Sequence, residues 1–152
     1  MRTLDQWFEE YAVSHQNPTN IAIHFICVPA IFFSIVGLFL SIPNGFLVDL
    51  IGINNPIFVN WAAIVIGFLF VFYLRLSSLM ALKVVLFSIF CLVANYFISM
   101  YVSLWIFSIV VFAIAWVGQF YGHKLEGMKP SFLKDIQFLL IGPAWVIKKI
   151  LK

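Results

Sequence analysis

The sequence predicts an all-α membrane protein with four transmembrane helices and short interfacial helical segments near its N- and C-terminal ends. Three observations carry this. Of 152 residues, 64% are hydrophobic and only 10% are charged, and the mean hydropathy of +1.08 lies outside the soluble range. Several apolar stretches reach the roughly 20 residues a helix needs to cross about 30 Å of hydrocarbon. Lipid satisfies no backbone polar group, so the spans must be helical.

Leu4, Trp7, Phe8 and Tyr11 recur at helical spacing opposite Asp5, Glu9 and Glu10, which suits a short helix at the membrane surface. The run His15-Gln16-Asn17-Pro18-Thr19-Asn20 breaks it, and Asn17, Thr19 or Asn20 can cap the next helix. The first span covers residues 21–40, with Pro29 as a candidate kink. Residues 41–56 hold Pro43, Asn44, Gly45, Asn54, Asn55 and Pro56 and read as a loop, with a half-buried turn at residues 46–51. The second span covers residues 57–74 and closes on Arg75-Leu76-Ser77-Ser78. Residues 79–121 stay apolar, and one helix of that length would run about 65 Å, so it folds back. The least apolar interruption, between Asn95 and Ser103, divides it into spans at residues 79–98 and 103–121. After Pro130, residues 136–147 are apolar but short, and Gly142-Pro143 interrupts them, which fits an interfacial or re-entrant element.

One integral-membrane domain over residues 1–152 is expected. Arg2, Arg75, Lys124, Lys129, Lys134, Lys148, Lys149 and Lys152 fall on the side shared by both termini, and the remaining loops hold no Lys or Arg. Both termini are therefore expected in the cytoplasm, with Lys83 snorkelling toward that side. The first twenty residues, which carry Asp5, Glu9 and Glu10, lack the basic start and apolar core of a signal peptide. A net charge of +3, dispersed along the chain, argues against nucleic acid. Cys27 and Cys91 lie in apolar stretches and read as packing residues rather than as a disulfide framework. Trp7 and Trp145 read as interfacial anchors.

The chemistry concentrates in three histidines. With four spans, His15 precedes the first helix, His24 lies a turn inside it and His123 comes after the fourth, so all three arrive at one interface. Neutral imidazoles are the commonest transition-metal ligands and suit iron, copper or zinc. Glu126, one turn after His123, is available as a fourth ligand, an acceptor for an imidazole N–H, or a catalytic base. Tyr11, Asn17 and Asn20 are polar neighbours suited to orienting the ligands. Histidines at an interface can equally be solvated side chains. An ionisable group inside a span, however, costs a few kcal/mol without a partner, which makes His24 the least readily explained that way.

The motifs Tyr11, His15-Gln16-Asn17-Pro18-Thr19-Asn20, His24 and Val28-Pro29, then Gln119-Phe120-Tyr121-Gly122-His123-Lys124-Leu125-Glu126-Gly127 with Pro130, and finally Leu139-Leu140-Ile141-Gly142-Pro143, extend over nearly the whole chain. In these the sequence resembles the membrane-bound 2-hydroxy fatty acid dioxygenase family. Cys27-Val28-Pro29 and Met128-Lys129 depart from the family pattern without touching a histidine. The resemblance implies an Fe(II)-dependent dioxygenase that α-oxidises a 2-hydroxy fatty acid with O₂ to a fatty acid one carbon shorter, with Fe(2+) held by His15, His24 and His123. Lys124 or Lys129 would steer the anionic head group. A bacterial inner membrane and the endoplasmic reticulum both suit such a protein. The competing reading is a non-catalytic four-span protein that binds lipid or assists assembly. A bis-histidine haem protein fits less well because only His24 lies within a span. Proton transport also fits poorly, since none of the four expected spans contains a carboxylate.

Overall fold

The computed structural model describes residues 3–127 and 132–150, so Met128, Lys129 and Pro130 of the motif lie outside the described residues. Among the described residues the chain is all helix: α1 (Leu4–Val13), α2 (Pro18–Leu40), α3 (Gly45–Ile51), α4 (Trp61–Leu74), α5 (Ser78–Ser99), α6 (Leu104–Glu126) and α7 (Phe132–Ile150). Three of these, α2, α5 and α6, are long and apolar enough to cross a membrane. At 14 residues, α4 is shorter, about 21 Å at 1.5 Å per residue.

Contacts divide the chain into two compact units, Met1–Phe32 with Phe112–Lys152, and Phe33–Val111. In the first unit, Thr3 caps α1 reciprocally with Gln6, the hydroxyl accepting from the Gln6 amide at 3.3 Å and the Gln6 side chain from the Thr3 amide at 2.9 Å. Asn17 caps α2: its Oδ1 accepts from the amides of Thr19 at 2.9 Å and Asn20 at 3.3 Å. Pro18 occupies the first helical position, where its missing N–H costs nothing. α1 packs on α7, where Lys148 pairs with Asp5 at 3.0 Å and stands 4.6 Å from the Phe8 ring centroid.

In the second unit α4 packs on α5. Asn60 caps α4 through the Ala63 amide at 2.8 Å, and Ser77 caps α5 through the Met80 amide. Buried Asn95 donates to the carbonyls of Phe33 at 3.0 Å and Cys91 at 2.9 Å, tying α5 to α2. Gly37 makes room for this, since a Cβ there would meet the side chains of Asn95 and Ser108. Large apolar side chains such as Phe68, Phe90 and Phe97 remain exposed, an outer surface that suits lipid and not water.

Several boundaries differ from those expected. The second apolar helix begins at Trp61 instead of residue 57, because Asn60 caps it and Asn55 holds the preceding turn by accepting from the amides of Ile57 and Phe58. Residues 46–51, expected as a turn, lie in α3, which ends on Gly52 with φ 74. α6 continues past residue 121 to Glu126 and stops at Gly127, whose φ of 71 favours glycine. At the C-terminal end α7 runs through Gly142-Pro143 without interruption. Proline removes only one helical hydrogen bond, and a Cβ at Gly142 would crowd the Tyr11 hydroxyl at 3.3 Å and Val28 Cγ1 at 3.1 Å.

Candidate metal centre

All residues of the candidate site belong to the first unit. His15 sits in the connection after α1, His24 in the second turn of α2, and His123 in the last turn of α6 rather than beyond it. The three are buried, with exposures of 4%, 1% and 8%. Their ring centroids are 4.2 Å (His15–His24), 5.0 Å (His24–His123) and 5.4 Å (His15–His123) apart.

The backbone sets two of the imidazoles. Nδ1 of His15 lies 2.6 Å from the Tyr11 carbonyl, and Nδ1 of His24 lies 2.9 Å from the Asn20 carbonyl. A carbonyl only accepts, so each Nδ1 carries the proton and each Nε2 keeps its lone pair. Those two Nε2 atoms are buried without a hydrogen-bond partner. Leaving such acceptors unpaired costs about 1–3 kcal/mol each, which a cation would offset. One ligand nitrogen from each of the three histidines lies within 4.8 Å of the other two, so the group could hold a metal ion. Two nitrogens bound at about 2.1 Å stand at most about 4.2 Å apart, so closure around an ion needs only small side-chain movement. Burial pushes the His15 imidazole down to about 4, against the upward pull of its bond to the Tyr11 carbonyl, so the ring is neutral at physiological pH.

Aromatic packing fixes the His15 ring. Tyr11 stacks on it at 4.0 Å and 5°, and Trp145 approaches both, at 5.0 Å from Tyr11 and 5.6 Å from His15. Trp145, expected to be an interfacial anchor, is 3% exposed. The α7 helix turns it into the site wall, with the Lys149 ammonium 4.4 Å from its ring centroid.

Glu126 occupies the last position of α6. Its carboxylate accepts from the amides of Gln16 (2.8 Å) and Asn17 (3.2 and 3.0 Å) and from Asn20 Nδ2 (2.9 Å). Cys27 packs its Sγ against Gly118 of α6, and among the described residues the group that could hold a metal consists of histidines alone.

Sequence reasoning singles out Tyr11, Asn17 and Asn20 as neighbours: Tyr11 stacks on His15 and the Asn20 carbonyl accepts from His24, whereas Asn17 donates its amide to Glu126. It missed Gln119, which was visible only as a member of the motif. This side chain is 7% exposed, its Nε2 has no partner, and it lies one turn before His123 on the same face of α6. A glutamine four residues before a histidine in an apolar helix was the available signal.

Compared with known families, residues 1–152 match the family model described as Mpo1-like: 2-hydroxy-palmitic acid dioxygenase Mpo1-like. No curated protein and no solved structure matches the chain.

Proposed function

The chain belongs to the Mpo1-like family, and from that premise we propose that it is an Fe(II)-dependent membrane dioxygenase that α-oxidises 2-hydroxy fatty acids. In the net reaction the C1–C2 bond breaks, C2 becomes the carboxyl of an acid one carbon shorter, and C1 leaves as CO₂. O₂ takes up four electrons, and one water forms. The observation that supports this best is the inward-facing pair of unpartnered Nε2 atoms on His15 and His24 beside His123.

Held by His15, His24 and His123, ferrous iron would supply the activation of dioxygen that carbon chemistry alone lacks. Tyr11 and Trp145 keep the His15 ring in place and exclude water from it. The Gln119 amide offers a donor to an oxygen of the bound acid one turn deeper along α6. Apolar helix surfaces receive the alkyl tail, which gains less than about 0.8 kcal/mol per CH₂ because it leaves lipid, not water. Chain length is therefore weakly discriminated. With α4 as a fourth, short crossing and the basic residues gathered on one side, both termini face the cytoplasm.

The test is metal analysis and turnover of 2-hydroxyhexadecanoate by the purified protein. The wild type should hold one iron per chain, and His24→Ala and His123→Ala should lose both iron and turnover. Gln119→Leu should keep the iron and raise KM several-fold. Full turnover by a His24→Ala protein without iron would overturn the proposal, and iron loss in Gln119→Leu would reassign that residue to the metal.

A further inference from the structure

We infer that Glu126 is a positioning residue that registers α6 against the turn between α1 and α2 and, through Asn20, sets the imidazole of His24. The inference rests on the proposed metal site and specifies how that site is held together.

Glu126 is one turn after His123 on the same helix. Its donors, the amides of Gln16 and Asn17 and the side chain of Asn20, all lie in the stretch that separates His15 from His24. Hydrogen bonds to a carboxylate are roughly twice as strong as neutral ones, and the start of α2 adds the positive end of its dipole. The carboxylate thus binds the segment carrying two of the histidines to the helix carrying the third.

Asn20 is the crossing point and is fully buried. Its Nδ2 donates to Glu126 at 2.9 Å and to the Ser14 carbonyl at 3.3 Å. Its own carbonyl accepts from His24 Nδ1 at 2.9 Å. On its other side Oδ1 lies against Gly122, where a Cβ would collide with it. Asn20 therefore touches α6 at two places, Glu126 and the residue preceding His123, while its backbone aims His24. Ser14 extends the chain of contacts to His15, whose Nδ1 is 3.2 Å from the Ser14 hydroxyl.

Both oxygens of Glu126 are already engaged by these donors. Coordinating a metal or moving a proton would require breaking the contacts that hold the segment. The carboxylate serves the site by its position.

The test uses the full chain in nanodiscs, with Co²⁺ as the probe, because its visible d–d absorption reports ligand geometry independently of turnover. Chelator competition gives the affinity. Relative to the wild type, Glu126→Gln should lose about 10- to 100-fold in Co²⁺ affinity and shift the absorption. Glu126→Asp, which keeps the charge on a shorter arm, should recover part of the loss. Asn20→Ala should mimic Glu126→Gln, and the double variant should bind little worse than the weaker single, because the two act in series. Circular dichroism identifies the folded variants, and Glu126→Asp carries the test if Glu126→Gln does not fold. Wild-type affinity and spectrum in the folded Glu126 variants would overturn the inference alone. Failure of the wild type to take up Co²⁺ would remove the metal-site reading and this inference with it.

Discussion

At the level of single residues, the site depends on proton placement. Tyr11 and Asn20 present carbonyls to His15 and His24, which leaves both distal nitrogens as acceptors. For His15 the price of burial is a charged form that the folded protein does not accommodate until about pH 4, while the unfolded chain protonates near 6.5. Between those values the unfolded chain binds the extra proton, so stability is full above 6.5, falls as pH drops, and is lost by about 4. The metal-free protein should lose on the order of 3 kcal/mol from this group over that window. Thermal unfolding measured from about pH 8 to about pH 4 checks it, and His15→Asn should flatten the dependence. The three histidines were legible in the sequence because ionisable side chains are rare against so apolar a background. The unpartnered amide of Gln119 and the burial of Trp145 were not, because an orphaned amide or a buried indole is defined by neighbours from other helices.

At the level of helices, the seam between α2 and α6 is made by small residues. A Cβ at Gly118 would stand 2.6 Å from Cys27 Sγ, and one at Gly122 would strike Asn20 Oδ1. Without water to drive association, close backbone approach and van der Waals contact hold membrane helices together. Gly118→Ala should therefore cost about 1–3 kcal/mol by overpacking. Cys27→Ala should relieve much of that, giving a clearly non-additive double-mutant cycle in thermal unfolding. Helix existence was largely readable: the expected spans at residues 21–40, 79–98 and 103–121 fall within, or nearly within, α2, α5 and α6. The ends were harder, because caps decide them. Asn60 delays α4, and Gly127 rather than the end of the apolar run stops α6, which is why Glu126 lies inside that helix. The continuity of α7 through Pro143 was unreadable from local propensity, since it accompanies packing of Gly142 against Tyr11 and Val28.

For the molecule as a whole, topology is the testable quantity. In a background lacking Cys27 and Cys91, and in sealed vesicles whose cytoplasmic face is outward, a cysteine replacing Glu9 should react with a membrane-impermeant maleimide, and one replacing Asn54 should react only after permeabilisation. The reverse pattern would invert the orientation drawn from the basic residues. The unit that carries the histidines is composed of the first 32 residues and those from Phe112 onward, with Phe33–Val111 forming the other unit between them in sequence. This order has a consequence for biosynthesis. His15 and His24 leave the ribosome roughly a hundred residues before His123, at the several residues per second of translation a wait of several seconds or more. A metal that needs all three histidines would then be taken up only late in synthesis, and a nascent chain arrested before α6 would carry an incomplete set of ligands.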